Sequence, residues 1–205
     1  MRSLKYRSIA ALATPLLALS LLGATATPAP AATAPHAGVP FNYWIDATTT
    51  LAKLHQTVTV PRGTFAGSIN LSTKTLTGHI TLPPATATVS GAGLPLATAT
   101  FKISEVKPVH GTIDFATLTA TATSVFNIQI VSLSPAALPF LNLVGDSCMT
   151  SKPVSVTMTG SLVALVFSGK YAIPPLQDCG ALTSALNLVI PGRGNTFSAT
   201  ATPKT

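Results

Sequence analysis

The stretch Thr64-Phe-Ala-Gly-Ser-Ile-Asn-Leu-Ser-Thr-Lys-Thr-Leu-Thr-Gly-His-Ile-Thr-Leu-Pro-Pro84 alternates apolar and polar side chains on both sides of a short connection. Such alternation, with a period of two residues, predicts two half-buried β-strands. Ser72 to Lys74 have the composition of a hairpin connection, and Pro83-Pro84 end the second strand. The residues expected on the inner faces are Phe65, Gly67, Ile69, Leu71, Leu76, Gly78, Ile80 and Leu82. The stretch therefore predicts an antiparallel hairpin.

The same pattern continues along most of the chain, where short alternating runs are separated by turn residues. Further strands are expected at 41–46, 56–60, 85–89, 97–106, 112–115, 118–123, 125–131, 154–159, 162–171 and 196–202. From Ala32 onward the chain has 28 threonines, whose branched side chains suit a pleated surface and whose hydroxyls keep an outer face wet. We expect an all-β fold, an antiparallel β-barrel or β-sandwich, formed by one domain over 41–205.

Two segments depart from this pattern. The proline-rich segment 134–143 predicts a loop or a single helical turn. Within 181–189, Leu182, Ala185, Leu186 and Val189 are spaced at i, i+3, i+4 and i+7, which predicts a short amphipathic helix. Pro191-Gly192 would end that helix, and we expect it to cover one end of the sheet.

The N-terminus resembles a secretory signal. Arg2, Lys5 and Arg7 precede an uncharged apolar stretch over 9–24, and a small-residue segment with Ala-x-Ala sites follows. Cleavage after Ala26 or after Ala31 fits the pattern. We assign 1–31 to the signal peptide and 32–40 to a flexible Thr/Ala/Pro-rich lead-in, and the apolar stretch is shorter than a spanning helix requires. The mature product is expected to be secreted or associated with the cell wall, without a transmembrane segment.

Removal of this signal changes the charge. The formal net charge falls from +7 to +4, and the remaining basic residues are dispersed from Lys53 to Lys204. Nucleic-acid binding would require a clustered basic surface that follows phosphates. The sequence therefore does not predict a nucleic-acid partner.

Cys148 and Cys179 are the only cysteines, and both follow the export signal. In an oxidising compartment such a pair is expected to form a disulfide. The alternative, a redox or metal-binding thiol pair, lacks Cys-x-x-Cys spacing and has no histidine nearby in sequence.

Few side chains could support catalysis or bind a metal. The acidic residues are Asp46, Glu105, Asp114, Asp146 and Asp178, and the histidines are His36, His55, His79 and His110. No Gly-x-Ser-x-Gly elbow occurs, and no His-x-His or His-x-x-x-His spacing suggests zinc. We predict a non-enzymatic protein without a cofactor, while a catalytic group assembled only in three dimensions stays open.

Three residues are candidates for ligand or surface contacts. Tyr43 and Trp44 could form an aromatic platform, although core packing or the covering of a sheet edge also explains them. Arg193, within Gly192-Arg-Gly-Asn195, could lie beside an anion-binding backbone nest. The glycines and asparagine of that segment equally predict a turn between the helix and the last strand.

The segment Cys179-Gly-Ala-Leu-Thr to Pro191-Gly-Arg-Gly-Asn-Thr196, together with Leu76 to Pro84, resembles a group of uncharacterised secreted actinobacterial β-rich proteins. That resemblance implies an exported envelope protein and no catalytic residues. A weaker likeness, in Tyr43-Trp-Ile-Asp46, Gly63-Thr-Phe-Ala-Gly-Ser-Ile69 and Lys152-Pro-Val-Ser-Val156, is to YceI-like barrels of the lipocalin type, and implies a carrier of long apolar lipids.

Two functions follow as hypotheses. The first is binding of an apolar small molecule or lipid inside the barrel or sandwich, because the small inward residues Gly67, Gly78, Ala97 and Ala99 could leave a cavity. The second is a structural or adhesive role at the cell surface, because uncharged threonine-rich strands can pair edge to edge.

Overall fold

The computed structural model describes residues 38–91 and 94–204, of which 68% lie in β-strands and 6% in helical turns. The signal peptide assigned to 1–31 and most of the lead-in assigned to 32–40 lie outside these residues. The elements in chain order are β1 (Val39–Leu51), β2 (Gln56–Asn70), β3 (Thr75–Thr81), β4 (Ala85–Gly91), β5 (Leu94–Asp114), β6 (Thr119–Pro135), β7 (Met149–Thr150), β8 (Val154–Ser161), β9 (Val166–Ile173), β10 (Leu176–Gln177), a 3₁₀ turn (Gly180–Leu182), α1 (Thr183–Val189) and β11 (Gly192–Pro203).

Eight of these strands close into an antiparallel barrel. In chain order, β1, β2, β3, β5, β6, β8, β9 and β11 each pair with the next, and β11 pairs back onto β1. The prediction of an all-β antiparallel fold is confirmed, and of its two forms the barrel is the one found. The order of these strands around the barrel is therefore also their order in the chain. Each connection between successive barrel strands lies at one end of the barrel or the other.

The predicted hairpin over 64–84 is formed by β2 and β3, with Gly67 directly opposite Gly78. Leu71 is the exception on its predicted inner face, because it lies in the turn and is 58% exposed. The strands predicted at 97–106 and 112–115 are one strand, β5, and those predicted at 118–123 and 125–131 are one strand, β6. Strand β1 already begins at Val39, two residues before the predicted domain boundary.

Four hairpin connections each consist of four residues, and the last residue of each connection has the left-handed backbone conformation. The residues concerned are His55, Lys74, Leu118 and Leu165, with φ between 48° and 55°. A left-handed residue lets a short loop match the twist of its strands, and glycine or asparagine usually occupies it. Here the position carries ordinary side chains, so each of these turns stores backbone strain.

A row of outward-facing hydroxyls crosses all eight strands of the barrel, from β2 round to β3, without closing into a ring. One serine or threonine from each barrel strand stands opposite the next, in the order Thr59, Thr48, Ser198, Ser168, Thr159, Thr121, Thr112 and Thr75. Within this hydroxyl belt, Thr121 and Thr159 share a hydrogen bond of 3.1 Å between their Oγ1 atoms. The belt shows how the outer surface remains polar with few charges.

The two ends of the barrel differ. The hairpin end carries the tight turns at 71–74, 115–118 and 162–165, whereas the helix end carries the long connections with β7, β10 and α1. At the helix end Cys148 and Cys179 form the predicted disulfide, and both are fully buried. Of the predicted apolar helix face, Leu186 is buried and Leu182 half-buried, but Ala185 and Val189 are exposed, because the helix has fewer than two full α-turns.

Candidate functional site

Two apolar cavities lie in the barrel interior formed by the described residues. The helix-end cavity is lined by residues such as Leu54, Leu176 and Ile190, and the hairpin-end cavity by residues such as Phe41, Ile69 and Val109. Each has a cavity volume of about 100 Å³. The helix-end cavity lies within about 1070 Å³ of atom-free space that includes open solvent. An apolar cavity of roughly 150 Å³ binds benzene or xenon, and each cavity here has about two thirds of that volume, which suits a slimmer apolar group.

Three side chains separate the two cavities, because Ile80, Met158 and Phe197 line both of them. Met158 is buried and comes from β8, opposite Ala122 of β6. Met has three rotatable side-chain bonds and a polarizable sulfur, so it adapts readily to a neighbouring ligand. The partition between the cavities is therefore made of side chains, not of backbone.

The predicted small inward residues do not all create space. A Cβ on Gly78 would lie 2.7 Å from Cε2 of Phe65 and 3.3 Å from Cζ of Phe41. The space opposite Gly67 and Gly78 is thus occupied by these two rings, whose centroids are 4.9 Å apart. Ala99, in contrast, lines the helix-end cavity as expected.

The wall of the helix-end cavity is apolar except at three residues: Thr49, Ser124 and Tyr171. Thr49 Oγ1 lies 2.6 Å from the Tyr171 hydroxyl and donates a hydrogen bond of 2.9 Å to the carbonyl of Thr196. Burial raises the pKa of Tyr171, an effect that the hydrogen bond with Thr49 partly offsets. The phenol is therefore neutral over the physiological pH range.

Ser124 is a site residue that sequence reasoning missed. It is 3% exposed and faces inward on β6, between Ala122 and Phe126. In the sequence, Ser124 is a single polar residue that interrupts an apolar strand face. The predicted strands were therefore divided there, into 118–123 and 125–131. In the structure the strand continues and the hydroxyl faces the cavity.

The two candidate aromatic residues do not form one platform, because neighbouring residues of a strand point to opposite faces. Tyr43 lines the hairpin-end cavity and packs against Phe41, with ring centroids 5.8 Å apart. Trp44 lies on the outer surface, where Lys204 Nζ is 4.1 Å from its ring centroid. That contact is a cation–π interaction between β1 and the residue that follows β11.

Arg193 lies at the start of β11, where the pairing with β9 shifts register between Gly192 and Asn195. Gly194 has φ of +86°, and the Asn195 side chain is buried. Asn195 Oδ1 accepts a hydrogen bond of 2.9 Å from the amide of Ala52, and its Nδ2 donates one of 3.0 Å to the carbonyl of Gly192. The segment thus forms a β-bulge that anchors the β1–β2 turn, and Arg193 is exposed beside it.

The barrel wall has a seam between β3 and β5. These strands pair from Thr75 to Gly78, and β4 then takes over the pairing with β5 from Ala85 onward. Between these two ladders, Glu105 accepts a hydrogen bond of 3.1 Å from the amide of Ile80, and its other carboxylate oxygen is 2.8 Å from Nδ1 of His79. A side chain therefore replaces the backbone acceptor at this point of the wall.

Among the described residues no three His, Cys, Asp or Glu side chains come close enough to hold a metal ion. Asp46 is bound by Arg62 on the outer surface, with Nη2 and Oδ2 at 2.8 Å. This hydrogen bond and the positive charge of Arg62 hold the pKa of Asp46 below its ordinary value, against a smaller opposing effect of desolvation. Pairing with an arginine disfavours a role for Asp46 as a catalytic base.

In the described part of the chain, no helix has the length and apolar character that crossing a membrane demands. No protein-family model, no curated protein and no solved structure matches this chain.

Proposed function

We propose that the protein is a secreted, non-enzymatic binding protein that holds a slim apolar ligand inside its barrel. The observation that carries this proposal is the helix-end cavity, whose wall is apolar apart from three residues. Closed barrels of eight strands are wide enough to fill with side chains or to hold one small ligand. In this barrel the side chains leave part of the interior empty.

The ligand gains affinity by leaving water. Burial of apolar surface contributes about 0.8 kcal/mol for each methylene group. Because the cavity is narrow, the ligand is a single hydrocarbon chain or a small ring and not a bulky multi-ring lipid. Export to an oxidising compartment is part of the proposal, and the buried disulfide at the helix end supports it.

The experiment is ligand analysis of the protein purified from its own host, by native mass spectrometry and by solvent extraction. We expect one apolar molecule per chain. The variant Ala99→Leu fills the cavity from β5, and it should reduce the bound fraction, whereas Thr98→Leu adds the same side chain at an exposed neighbouring position and should not. A protein without bound ligand that also takes up no hydrocarbon in solution would overturn the proposal.

A structural or adhesive role at the cell surface is the second candidate, and the hydroxyl belt favours it. A regular set of uncharged donors and acceptors can form many hydrogen bonds with a hydroxyl-rich polymer. Edge-to-edge strand pairing between molecules is a weaker basis for this role. Closure of the barrel already pairs the eight barrel strands with one another, so their edges are not free for another molecule. Cell fractionation tests this role: a protein found wholly in the medium, and monomeric at high concentration, would contradict it.

A further inference from the structure

The seam between β3 and β5 is a long interruption of the hydrogen-bonded wall. Along β5, the ladder with β4 ends at Phe101 and the ladder with β3 begins at Val109. The seven residues between them, 102–108, have no ladder partner on this edge among the described strands, over a length of roughly 20 Å. Across the seam, Pro83 and Pro84 have no amide proton to donate. The sequence itself therefore prevents the ladder from continuing there.

The seam lies directly against the helix-end cavity. Residues from both of its sides line that cavity: Ile80, Leu82, Phe101 and Ile103. These four side chains are half-buried. On the opposite side of the barrel, the lining residues Val156 of β8 and Ile173 of β9 are only 2% and 5% exposed. The part of the cavity wall at the seam is thus the more accessible part.

The two ends of the cavity are closed more firmly. Toward the hairpin end it meets the partition made by Ile80, Met158 and Phe197. Toward the helix end, Leu186 of α1 belongs to a buried cluster that also contains both cysteines of the disulfide. A route through the wall is therefore favoured over a route along the barrel axis.

The wall also lacks a ladder between β2 and β4, where Gln56 Nε2 donates a hydrogen bond to the carbonyl of Thr88. Behind that join, Val58 and Val60 of β2 and Ala85 of β4 belong to one core cluster and are at most 2% exposed. Tight apolar packing holds these strands together. The seam, with its half-buried lining, is the weaker of the two joins.

One side chain holds the seam closed. Glu105 accepts a hydrogen bond of 3.1 Å from the amide of Ile80 through Oε1, and its Oε2 lies 2.8 Å from Nδ1 of His79. Hydrogen bonds to an ionised group are stronger than neutral ones. Glu105 is not among the residues that line the cavity, so a change at this position alters the seam and leaves the cavity wall intact.

We propose that the seam is the route by which an apolar ligand enters and leaves the helix-end cavity, and that Glu105 closes this route by bonding two consecutive residues of β3. This inference rests on the proposed binding function and specifies how the ligand reaches its site. Side-chain hydrogen bonds close the seam in place of a ladder, so it opens locally while the other strands stay paired.

The test measures how fast a thiol inside the cavity of the ligand-free protein reacts with methyl methanethiosulfonate, a small neutral reagent. Val156→Cys places a thiol in the wall of the helix-end cavity, and Ala120→Cys places a matched thiol in the wall of the hairpin-end cavity. Both positions are at most 2% exposed. We expect Glu105→Ala to raise the labelling rate at Val156→Cys about tenfold, as for loss of one hydrogen bond to a charged group, and to leave that at Ala120→Cys within about twofold.

Two further variants serve as controls. Glu105→Gln keeps an oxygen that can accept from the amide of Ile80, so its labelling rate should stay close to that of the parent. Gln56→Ala removes the side-chain bond between β2 and β4 and should not accelerate labelling. The inference is overturned if Glu105→Ala leaves the rate at Val156→Cys unchanged, if it raises the rates of both thiols equally, or if Gln56→Ala accelerates labelling as much as Glu105→Ala does.

Binding kinetics of 1-hexanol, measured by NMR exchange, separate this inference from the proposed function. Glu105→Ala should raise the association and dissociation rates by the same factor and leave the dissociation constant within about twofold, because Glu105 does not line the cavity. An altered dissociation constant with an unaltered association rate would also overturn the inference. If the parent protein binds neither 1-hexanol nor hexane, the binding function itself fails, and the labelling rates still decide whether the seam opens.

Discussion

Replacing Met158 by alanine should join the two cavities into one. Met158 lines both, together with Ile80 and Phe197, and it is buried at 8% exposure. Loss of a buried methionine side chain costs about 2–5 kcal/mol, depending on how far the surroundings relax. For a domain of this size that corresponds to a fall in melting temperature of about 4–20 °C. We expect Met158→Ala to fold, but with a clearly lower melting temperature.

The functional consequence is a change in the preferred length of the ligand. Each methylene group that enters an apolar cavity adds about 0.8 kcal/mol, or about fourfold in affinity. In the parent protein this increase should stop when the helix-end cavity is full. In Met158→Ala it should continue for longer chains, because the hairpin-end cavity becomes accessible.

The assay is calorimetric titration with 1-alkanols of increasing length. Met158→Leu is the control, because it nearly conserves volume, should cost less than about 1.5 kcal/mol, and keeps the partition. If the affinity of folded Met158→Ala levels off at the same chain length as that of the parent protein, the two cavities do not communicate through Met158, and the reasoning is refuted.

Three further predictions concern the scaffold. Removing the disulfide with Cys148→Ala and Cys179→Ala opens a loop with a sequence separation of 31 and should lower the free energy of unfolding by about 3–4 kcal/mol in urea titrations; an unchanged midpoint would contradict this. Leu118 has φ of 52°, so Leu118→Gly should raise the free energy of unfolding by up to about 1 kcal/mol and Leu118→Val should lower it. The reverse order of stability would exclude strain in this turn. The pKa of Asp46 is lower in the folded than in the unfolded chain, so its stabilising contribution is present above about pH 4 and is lost as the pH falls through the folded pKa. NMR titration should show the Asp46 midpoint rising in Arg62→Gln, and an unmoved midpoint would show that Arg62 is not the cause.

Much of the fold could be predicted because its information is local. The alternation on both sides of Ser72–Lys74 is sufficient for the β2–β3 hairpin, and a pair of cysteines behind a predicted export signal is sufficient for the disulfide. Barrel closure could not be predicted, because it depends on the pairing of β1 with β11, which are far apart in sequence. A sandwich would place the same alternating residues inward.

The cavity was only partly predictable, for a different reason. Inward glycines suggest empty space, but whether a large side chain from another strand fills it depends on register, as Phe41 and Phe65 show opposite Gly78. Ser124 was hidden by the rule that inward residues are apolar. A polar residue at an inward position weakens the predicted strand, and that weakness can itself indicate a binding site.

The pairing of the first described strand with the last has a consequence for how the chain folds. Tyr43 of β1 stands opposite Pro203 of β11, so the barrel closes only when the chain has been made as far as β11. During synthesis, β1 therefore keeps one edge without its partner until β11 has been made. Pairing over such a distance makes folding slow, in the range of milliseconds to seconds for β-rich topologies. The pairing of β11 with β1 is thus the step that protects the nascent chain from association with other chains.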